Sequence, residues 1–401
     1  MSVEKPAIVT MGNSLARFLD LSRNVTSEPG VPQPPGLPSP YADAPGLSPG
    51  TTDQKGYYAA GRLARPDLSK TRMFVNRGIE LKPGHALITS QKDASVYQMD
   101  LDTGEFEFVF QLYDTGGAFL FRAVAAPSGE IFCTVTGARY ENDPHGVNFG
   151  VGGAVFRIHP VRELISVVPR SQEIVDPCGL QLLPDGHLLV TDFDGFRGES
   201  AKILDLQPST GKRVAVAEAG PLNIPIGAYL HVPDNVLYVA NAIMQYDYPD
   251  VPNNDTGNLL RYDLNNGVCT AVVPEEYPPA GSLLGVNGNA GSDELVFVTC
   301  GAPMFKVGAL KVFNMKTGEV RTLIASEPAK RRFFSPHSDV IDGVIHTADS
   351  YQKELLVIRL ADGSILKRHS LAPILGGYLG VKQQFDIVDC VSIVPPQWPD
   401  A

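Results

Sequence analysis

The sequence lacks the hallmarks of a membrane protein and of a nucleic-acid-binding protein. It has no apolar run of about 18 residues, so we expect no transmembrane helix. Its first residues, MSVEKPAIVTMGNSLARF, have no sustained apolar core, so we expect no secretory signal. Positive charge is scarce: the chain has 33 Lys and Arg residues but 44 Asp and Glu residues, which gives a net charge of −11. We therefore expect a cytoplasmic protein whose partner is a small molecule rather than a nucleic acid or a membrane, and the oligomeric state stays open.

Cysteine is also scarce, with five residues dispersed along the chain and no CxxC pair. Four of the five lie in or beside apolar strand runs, which favours small buried thiols in a reduced protein over a disulfide framework. The GxSxG, P-loop and dinucleotide-binding fingerprints do not occur in a strand-to-helix context. Nothing in the sequence therefore favours a serine hydrolase, an NTPase or a Rossmann enzyme.

Glycine and proline, in contrast, are abundant, with 39 and 33 residues. Eight prolines and four glycines fall between Pro29 and Gly50, so this stretch cannot form the interior of a helix or sheet. We predict an N-terminal arm over residues 1–70 that contains a short helix and this proline-rich segment. Further along, glycine and proline recur at regular, turn-like intervals, which predicts an all-β domain over residues 71–401.

A repeated pattern of strands fills that domain. In Val175–Phe196 (VDPCGLQLLPDGHLLVTDFDGF) two apolar runs flank the turn Pro184-Asp185-Gly186, and two further strands follow up to Ala217. The same pattern of four strands recurs at a spacing of about 45 to 55 residues. The other copies are Gly78–Ser90 with Val96–Leu112, Ala123–Val135 with Ala154–Val168, Gly227–Asn241 with Asn258–Val273, Val286–Thr299 with Ala309–Ile324, and Ser338–Asp349 with Glu354–His369.

Six copies of four strands predict a six-bladed β-propeller. The leftover strand Phe385–Val394 has no downstream partner, so we expect it to return to the first blade and close the ring. At PCGLQLLPDGHLLVTD the chain resembles the six-bladed propeller superfamily, which includes NHL-repeat proteins, the gluconolactonase/regucalcin group, strictosidine-synthase-like proteins and bacterial lyases. The resemblance spans about residues 75–395. It implies the architecture, while the activities of the superfamily differ.

The repeat distinguishes two ends of the ring. Turns after the first and third strands of each blade are short, as in Pro184-Asp185-Gly186, and fall on one end, which we call the turn face. The loops between the second and third strands fall on the other end, the loop face, where Gly137–Gly153 and Ala242–Gly257 are long insertions. Because long variable loops over a rigid scaffold commonly carry function, we expect the site at the loop face.

Three prolines, in VDPCG, NIPIG and FSPHS, are predicted to lie at the start of innermost strands. The residues beside them are therefore candidates to point into the mouth of the channel. Asp176, Asn287 and Asp386 offer oxygen ligands from separate blades, which would suit Ca²⁺ or Mg²⁺ and less well Zn²⁺. In the gluconolactonase/regucalcin group an acidic residue, an Asn and an Asp hold a channel cation, and Asn287-Gly288 looks like the Asn-Gly of that group. The Glu-Gly-Pro segment of the group has no counterpart here. The alternative is that these side chains cap strands by hydrogen bonds to the backbone.

Histidines and loop aromatics complete the candidate site. His337 is the first choice for acid–base catalysis together with Asp176, and His145 is the second; the alternative for each is a histidine that is hydrogen-bonded locally. Asp192 is expected to close a strand end by hydrogen bonds. Arg122 is a candidate to bind an anionic substrate group, and the alternative is a structural ion pair with Asp176. The other candidate substrate-binding residues, whose aromatic members could instead hold the loops in place, are Asn223, Tyr140, Tyr246, Tyr248, Phe305 and Tyr351.

Two functions follow from this reading. The first is a small-molecule enzyme at the mouth of the channel, either a lactonase-like hydrolase or a lyase or isomerase assisted by a divalent cation. The second is a binding or scaffolding propeller of the NHL type without chemistry. The sequence does not name the substrate.

Overall fold

The structure is a computed structural model that describes residues 68–90, 94–115, 118–138, 148–192, 201–218, 221–222, 224–243, 256–273, 281–289, 291–301, 308–327, 329–375 and 388–396. These residues form six antiparallel sheets, one of five strands and five of four. Their innermost strands contact one another in turn around a closed ring. The chain is therefore a six-bladed β-propeller, as the repeat predicts. Within this part of the chain no helix has the length and apolar character needed to cross a bilayer.

Blades 2 to 6 each consist of four consecutive strands, the first innermost and the fourth outermost. Their bounds are, for blade 2, β5 Phe119–Ala125, β6 Ile131–Ala138, β7 Asn148–His159 and β8 Leu164–Val167; for blade 3, β9 Pro177–Leu182, β10 Leu188–Asp192, β11 Lys202–Leu206 and β12 Arg213–Glu218; for blade 4, β13 Ile224–His231, β14 Val236–Ile243, β15 Thr256–Asp263 and β16 Val268–Val273; for blade 5, β17 Gly281–Gly288, β18 Glu294–Gly301, β19 Ala309–Asn314 and β20 Val320–Ala325; and for blade 6, β21 Asp339–Ile341, β22 Val344–Asp349, β23 Glu354–Arg359 and β24 Ile365–Ser370. Short helices occur at Leu68–Lys70, Ser171–Glu173, Val232–Asp234 and Ala372–Leu375.

Blade 1 is built from both ends of the described chain. Its strands are β1 Arg72–Val75, β2 Ala86–Ser90, β3 Ser95–Met99, β4 Phe106–Tyr113 and β25 Val388–Ile393, in the order β1-β4-β3-β2-β25. The expectation that the C-terminal strand closes the ring is confirmed, because β25 pairs with β2. The reading of Gly78–Ser90 as strand, turn, strand is only half right. Only its second half is a strand, and β25 takes the innermost place.

Threonines on the second strands join neighbouring blades. Thr134 Oγ1 accepts a hydrogen bond from the N–H of Arg122 in its own blade at 3.2 Å and donates to the carbonyl of Cys178 in the next blade at 2.9 Å. Thr89 makes the same two contacts, with the N–H of Cys390 and the carbonyl of Phe121. The pairing register of the innermost strands β25 and β5 shifts at this level, which takes backbone groups out of the ladder. The hydroxyls satisfy these groups, since buried backbone polar groups need partners.

Small residues at the same level let the innermost strands approach closely. A Cβ on Gly227 would lie 3.0 Å from the Cα of Gly285, and a Cβ on Gly179 would lie 2.9 Å from the carbonyl oxygen of Ile226. Gly179, Gly227 and Gly285 therefore lie at one level around the axis, in blades 3, 4 and 5. Positions along the channel can be counted in residues from this level.

The proline-rich segment of the predicted N-terminal arm lies outside the described residues. Among the described residues Cys133, Cys178 and Cys390 are buried, Cys269 is half-buried, and none of the four is in a disulfide. Burial raises the pKa of the Cys133 thiol, so this cysteine is an inert packing residue.

Candidate functional site

A cavity of about 610 Å³ opens at the turn face of the ring. It begins at the axis, where the innermost strands of several blades supply its wall, and extends across the turns of blades 2 and 3. Its axial wall is formed by Arg122, Gln181, Tyr229, Asn287, Asp339 and Ser392. Pro184, Asp185 and Gly186 form part of its rim, and Gly186 has a φ of 82°, which the tight turn after β9 requires.

Arg122 is the buried cation of this cavity. Its side chain lies on β5 and is only 5% exposed. One terminal nitrogen, NH1, lies 2.9 Å from Nδ1 of His337, while its Nε–H is buried without an acceptor. Among the described residues no carboxylate forms an ion pair with this guanidinium. An ionised group that is buried without a counter-charge is unfavourable for folding, so its retention in the cavity wall indicates a role outside stability.

His337 holds the Arg122 side chain in place. It lies two residues before β21, is 1% exposed, and its carbonyl accepts the N–H of Val391 at 2.9 Å. Burial, and then the neighbouring charge of Arg122, lower the pKa of the imidazole well below its usual range, so the ring is neutral. A guanidinium can only donate, so Nδ1 is the acceptor and the proton of the neutral ring lies on Nε2. Nε2 has no partner among the described residues, which makes it a hydrogen-bond donor and not a base.

Asn287 and Asp339, two further polar groups of the axial wall, are bonded to the backbone. Asn287 Nδ2 donates to the carbonyl of Ser338 at 2.8 Å, and its Oδ1 accepts the N–H of Gly288 at 2.8 Å. Asp339 accepts the N–H groups of Val340 at 3.0 Å and Ile393 at 2.9 Å. Tyr229 is 4% exposed, and burial together with the charge of Asp339 raises its pKa to about 12. Tyr229 is therefore a neutral hydroxyl in the wall.

Two pairs of side chains lie on the rim between blades 2 and 3. Arg157 is neutralised by Glu130, with NH2 to Oε1 at 2.6 Å. His187 Nδ1 lies 2.8 Å from Asp205 Oδ1. When this nitrogen donates to the carboxylate, the neutral ring keeps Nε2 as an acceptor, which is the orientation of a His–Asp dyad. These residues were not predicted from the sequence. The feature of the sequence that marks His187 is its position directly after the turn of a repeat.

The two acidic side chains described near the start of β9 at the loop face, Asp176 and Asp192, have hydrogen-bond partners within the chain. Asp176 is fully buried and accepts a hydrogen bond from Thr136 Oγ1. Its own N–H donates to Asp192 Oδ1 at 2.8 Å, and the N–H of Val175 donates to Oδ2 of the same carboxylate at 3.3 Å. The expectation for Asp192 is confirmed, since it closes the end of its strand. Asp176 is not part of the cavity lining.

The structure does not bring Asp176 and Asn287 together. Asp176 lies three residues before Gly179, and Asn287 lies two residues after Gly285 on a strand that runs in the same direction. At about 3.3 Å per residue they are roughly 15 Å apart along the axis. Ligands of one Ca²⁺ lie about 2.3–2.6 Å from the ion, so these two residues cannot share it.

The predicted cation therefore does not fit the residues that the structure describes. The third predicted ligand, Asp386, lies outside the described residues, and both polar groups of Asn287 are bonded to the backbone. Within the described ranges no group of three or more His, Cys, Asp or Glu side chains is placed to hold a metal. We derive no chemistry from a metal at these positions.

Most of the other predicted site residues fall outside the described part of the chain. These are His145, Asn223, Tyr140, Tyr246, Tyr248 and Phe305. Tyr351 is described and lies in the turn between β22 and β23 on the loop face, away from the cavity. Arg122, His337 and Asn287 are the predicted residues that the structure brings to one place, although Asp176 was expected there as well.

Comparisons with known proteins bear on the fold. No family model matches the chain, and no curated protein matches it. Among solved structures, a chain of a nidogen/laminin complex is similar at 12% identity over 78% of this chain and 99% of that chain, with a TM-score of 0.53. A hypothetical selenium-binding protein from Sulfolobus tokodaii is similar at 10% identity over 72% and 75%, with a TM-score of 0.50. A catalytically inactive virginiamycin B lyase from Staphylococcus aureus with quinupristin is similar at 14% identity over 75% and 89%, with a TM-score of 0.44.

The fold and the site together define the class of this protein. It is a six-bladed β-propeller closed by its C-terminal strand, with a cavity at the turn face that reaches the axis. At 12% and 10% identity, the two structures with TM-scores of 0.53 and 0.50 are similar to this chain in fold alone.

Proposed function

We propose that the protein binds a small organic molecule in the axial cavity of the turn face. The cavity of about 610 Å³ is the observation that supports this, since ligand pockets of drug-sized molecules measure about 300–1,000 Å³. Its wall combines apolar side chains with a few fixed polar groups, which is the usual composition of such pockets. The backbone bonds of Asn287 and Asp339 hold the wall in shape before a ligand arrives.

Filling the cavity tests this proposal. Ser392 lies on β25, lines the cavity and is 7% exposed, so Ser392→Trp places a large side chain in it. A fragment library is screened against the wild-type protein by ligand-observed NMR, and the hits are measured again on the variant. We expect the hits to lose binding at least tenfold while the variant stays folded. Hits that bind the filled cavity equally well, or a library without any hit, would overturn the proposal.

A second candidate function is hydrolysis or elimination catalysed at the same cavity. The His187–Asp205 pair on the rim favours it, because an acceptor Nε2 beside a ligand is suited to take a proton from water or from a carbon acid. The assistance by a cation that the sequence suggested is not part of this proposal.

A matched pair of variants tests the chemistry. His85 follows the corresponding turn of blade 1 and lies 3.8 Å from Asp100, but it is not on the cavity wall. With a panel of lactones and aryl esters as probes, we expect His187→Gln to lose at least a hundredfold in turnover and His85→Gln to lose none. Equal rates in both variants would exclude His187 as the base, and a wild-type protein without turnover would leave binding as the function.

A further inference from the structure

We infer that the molecule bound in the axial cavity carries a carboxylate, or an equivalent oxyanion, that pairs with Arg122; this rests on the proposed function. The charge of Arg122 supports this inference. Arg122 is a permanent cation, since a guanidinium does not lose its proton in a protein. At 5% exposure it has little water around it, and among the described residues its only side-chain hydrogen bond is to a neutral ring.

The neighbouring groups make this cation a receptor rather than a structural support. A structural arginine in this molecule looks different: Arg332 is 6% exposed and its NH1 lies 2.9 Å from Asp349 Oδ2. Arg122 has no such carboxylate among the described residues. The His337 ring fixes one end of the guanidinium through Nη1, and the Nε–H of Arg122 has no acceptor among the described residues. A carboxylate or phosphate oxygen is the acceptor that such a fork pairs with best.

The acidic residues of the cavity do not take this place. Asp339 directs its two oxygens at the N–H groups of Val340 and Ile393. Glu130 on the rim is paired with Arg157, so the charges of that pair cancel. Asp185 is on the turn at the opening, where it is exposed to solvent. The axial wall therefore carries one negative charge, on Asp339, whose oxygens accept backbone N–H groups, and one positive charge, on Arg122, whose Nε–H has no acceptor among the described residues.

The neutral state of His337 keeps it bonded to Arg122. With its proton on Nε2, the ring accepts from the guanidinium at Nδ1, and His337 is not among the residues that line the cavity. The group that meets the ligand is therefore the guanidinium of Arg122. We regard His337 as a positioning residue, because it acts through Arg122.

A matched pair of probes tests the inference: 4-fluorophenylacetate and its neutral isostere 4-fluorophenylacetamide, followed by ¹⁹F NMR. Their dissociation constants are measured on the wild-type protein, on Arg122→Gln and on Arg157→Gln. The last variant is the control, since it removes a cation of the same cavity whose charge Glu130 already balances. We expect the wild-type protein to bind the carboxylate about tenfold or more tightly than the amide, as a charge-assisted hydrogen bond predicts. We expect this ratio to fall to near one in Arg122→Gln and to persist in Arg157→Gln.

The outcomes separate this inference from the function that it rests on. If carboxylate and amide bind equally to the wild-type protein and both are lost in Ser392→Trp, the cavity binds ligands but the inference fails. If the preference for the carboxylate survives in Arg122→Gln, the inference fails as well. If neither probe binds, phenyl phosphate is the second anionic probe, and its failure together with an empty fragment screen overturns the proposed function itself. His337→Ala is expected to weaken the preference and His337→Gln, whose amide oxygen can accept from Arg122, to restore part of it.

Discussion

Two buried arginines at opposite ends of the ring differ in what surrounds them. Arg332 lies at the loop face, where Asp349 pairs with it and the same carboxylate accepts the N–H of Phe333 at 3.1 Å. Arg122 lies in the wall of the turn-face cavity, where it contacts a neutral histidine and no carboxylate of the described chain. The buried charge of Arg332 therefore holds the start of blade 6 in place, whereas the buried charge of Arg122 is left for a molecule that is not part of the chain.

The largest expected effect is the loss of the loop-face arginine. Arg332→Met leaves the buried carboxylate of Asp349, which is 0% exposed, without its counter-charge. We expect the free energy of unfolding to fall by about 3–5 kcal/mol, as is typical when one partner of a buried ion pair is removed. Urea denaturation measures it.

An exposed ion pair provides the control for this variant. Arg359 and Asp362 form a pair at 3.2 Å in which both side chains are more than half exposed, so Arg359→Met is expected to cost about 0–1 kcal/mol. Equal losses in Arg332→Met and Arg359→Met would show that the buried pair does not hold the blade.

The next largest effect concerns the joint between blades 2 and 3. Thr134→Val removes the hydroxyl that accepts from the N–H of Arg122 and donates to the carbonyl of Cys178. Since both backbone groups stay buried without a partner, we expect a loss of about 1–3 kcal/mol in the free energy of unfolding. Thr322→Val, on the exposed outer strand β20, is the control and should change stability by about 0.5 kcal/mol or less. A neutral Thr134→Val would mean that water or backbone shifts replace the hydroxyl.

The smallest effect is a dependence of stability on pH that comes from the buried histidines. The pKa of His337 lies well below the ordinary value of 6.5, mainly because of burial, and burial lowers the pKa of His346 as well. Below pH of about 6.5 the unfolded chain binds protons that the folded chain rejects, so stability is lost as pH falls. The loss per histidine is at most about 1.4 kcal/mol per pH unit.

Unfolding by urea at pH 7.5, 6.5 and 5.5 measures this dependence. We expect stability to fall between the last two values, and His346→Gln to reduce the slope by its own share. A stability that rises on acidification from pH 6.5 to 5.5 would contradict the neutral state of these rings, and with it the role of His337 Nδ1 as the acceptor for Arg122.

The sequence was sufficient for the architecture because each blade repeats its turn chemistry. The turn Pro184-Asp185-Gly186, the spacing of the copies and the unpaired strand near the C-terminus together indicated the blade count and the closure of the ring. The first blade was harder to predict, since its innermost strand, β25, comes from the far end of the chain and no local pattern near Gly78 reveals this. The fifth strand, β1, was missed for a similar reason, because an edge strand that contains a 62% exposed Phe74 has no buried face to mark it.

The site could be predicted only in part. Arg122, His337 and Asn287 stood out as residues near the start of innermost strands, but their level along the axis depends on their distance in sequence from the level of Gly179, Gly227 and Gly285, which no motif records. Asp176 lies three residues before that level and Asn287 lies two residues after it. The expectation of a loop-face site came from loop length alone, and the long loops lie outside the described residues. The described cavity lies at the other face, where short turns leave the channel open.

The stability of Arg122→Met in the absence of ligands tests the central claim most directly. If Arg122 is a receptor whose charge has no partner in the chain, replacing it by an apolar side chain should leave the free energy of unfolding unchanged or raise it, while Arg332→Met lowers it. A loss of about 3–5 kcal/mol in Arg122→Met, equal to that of Arg332→Met, would contradict the claim, since Arg122 would then be a structural residue like its counterpart at the loop face.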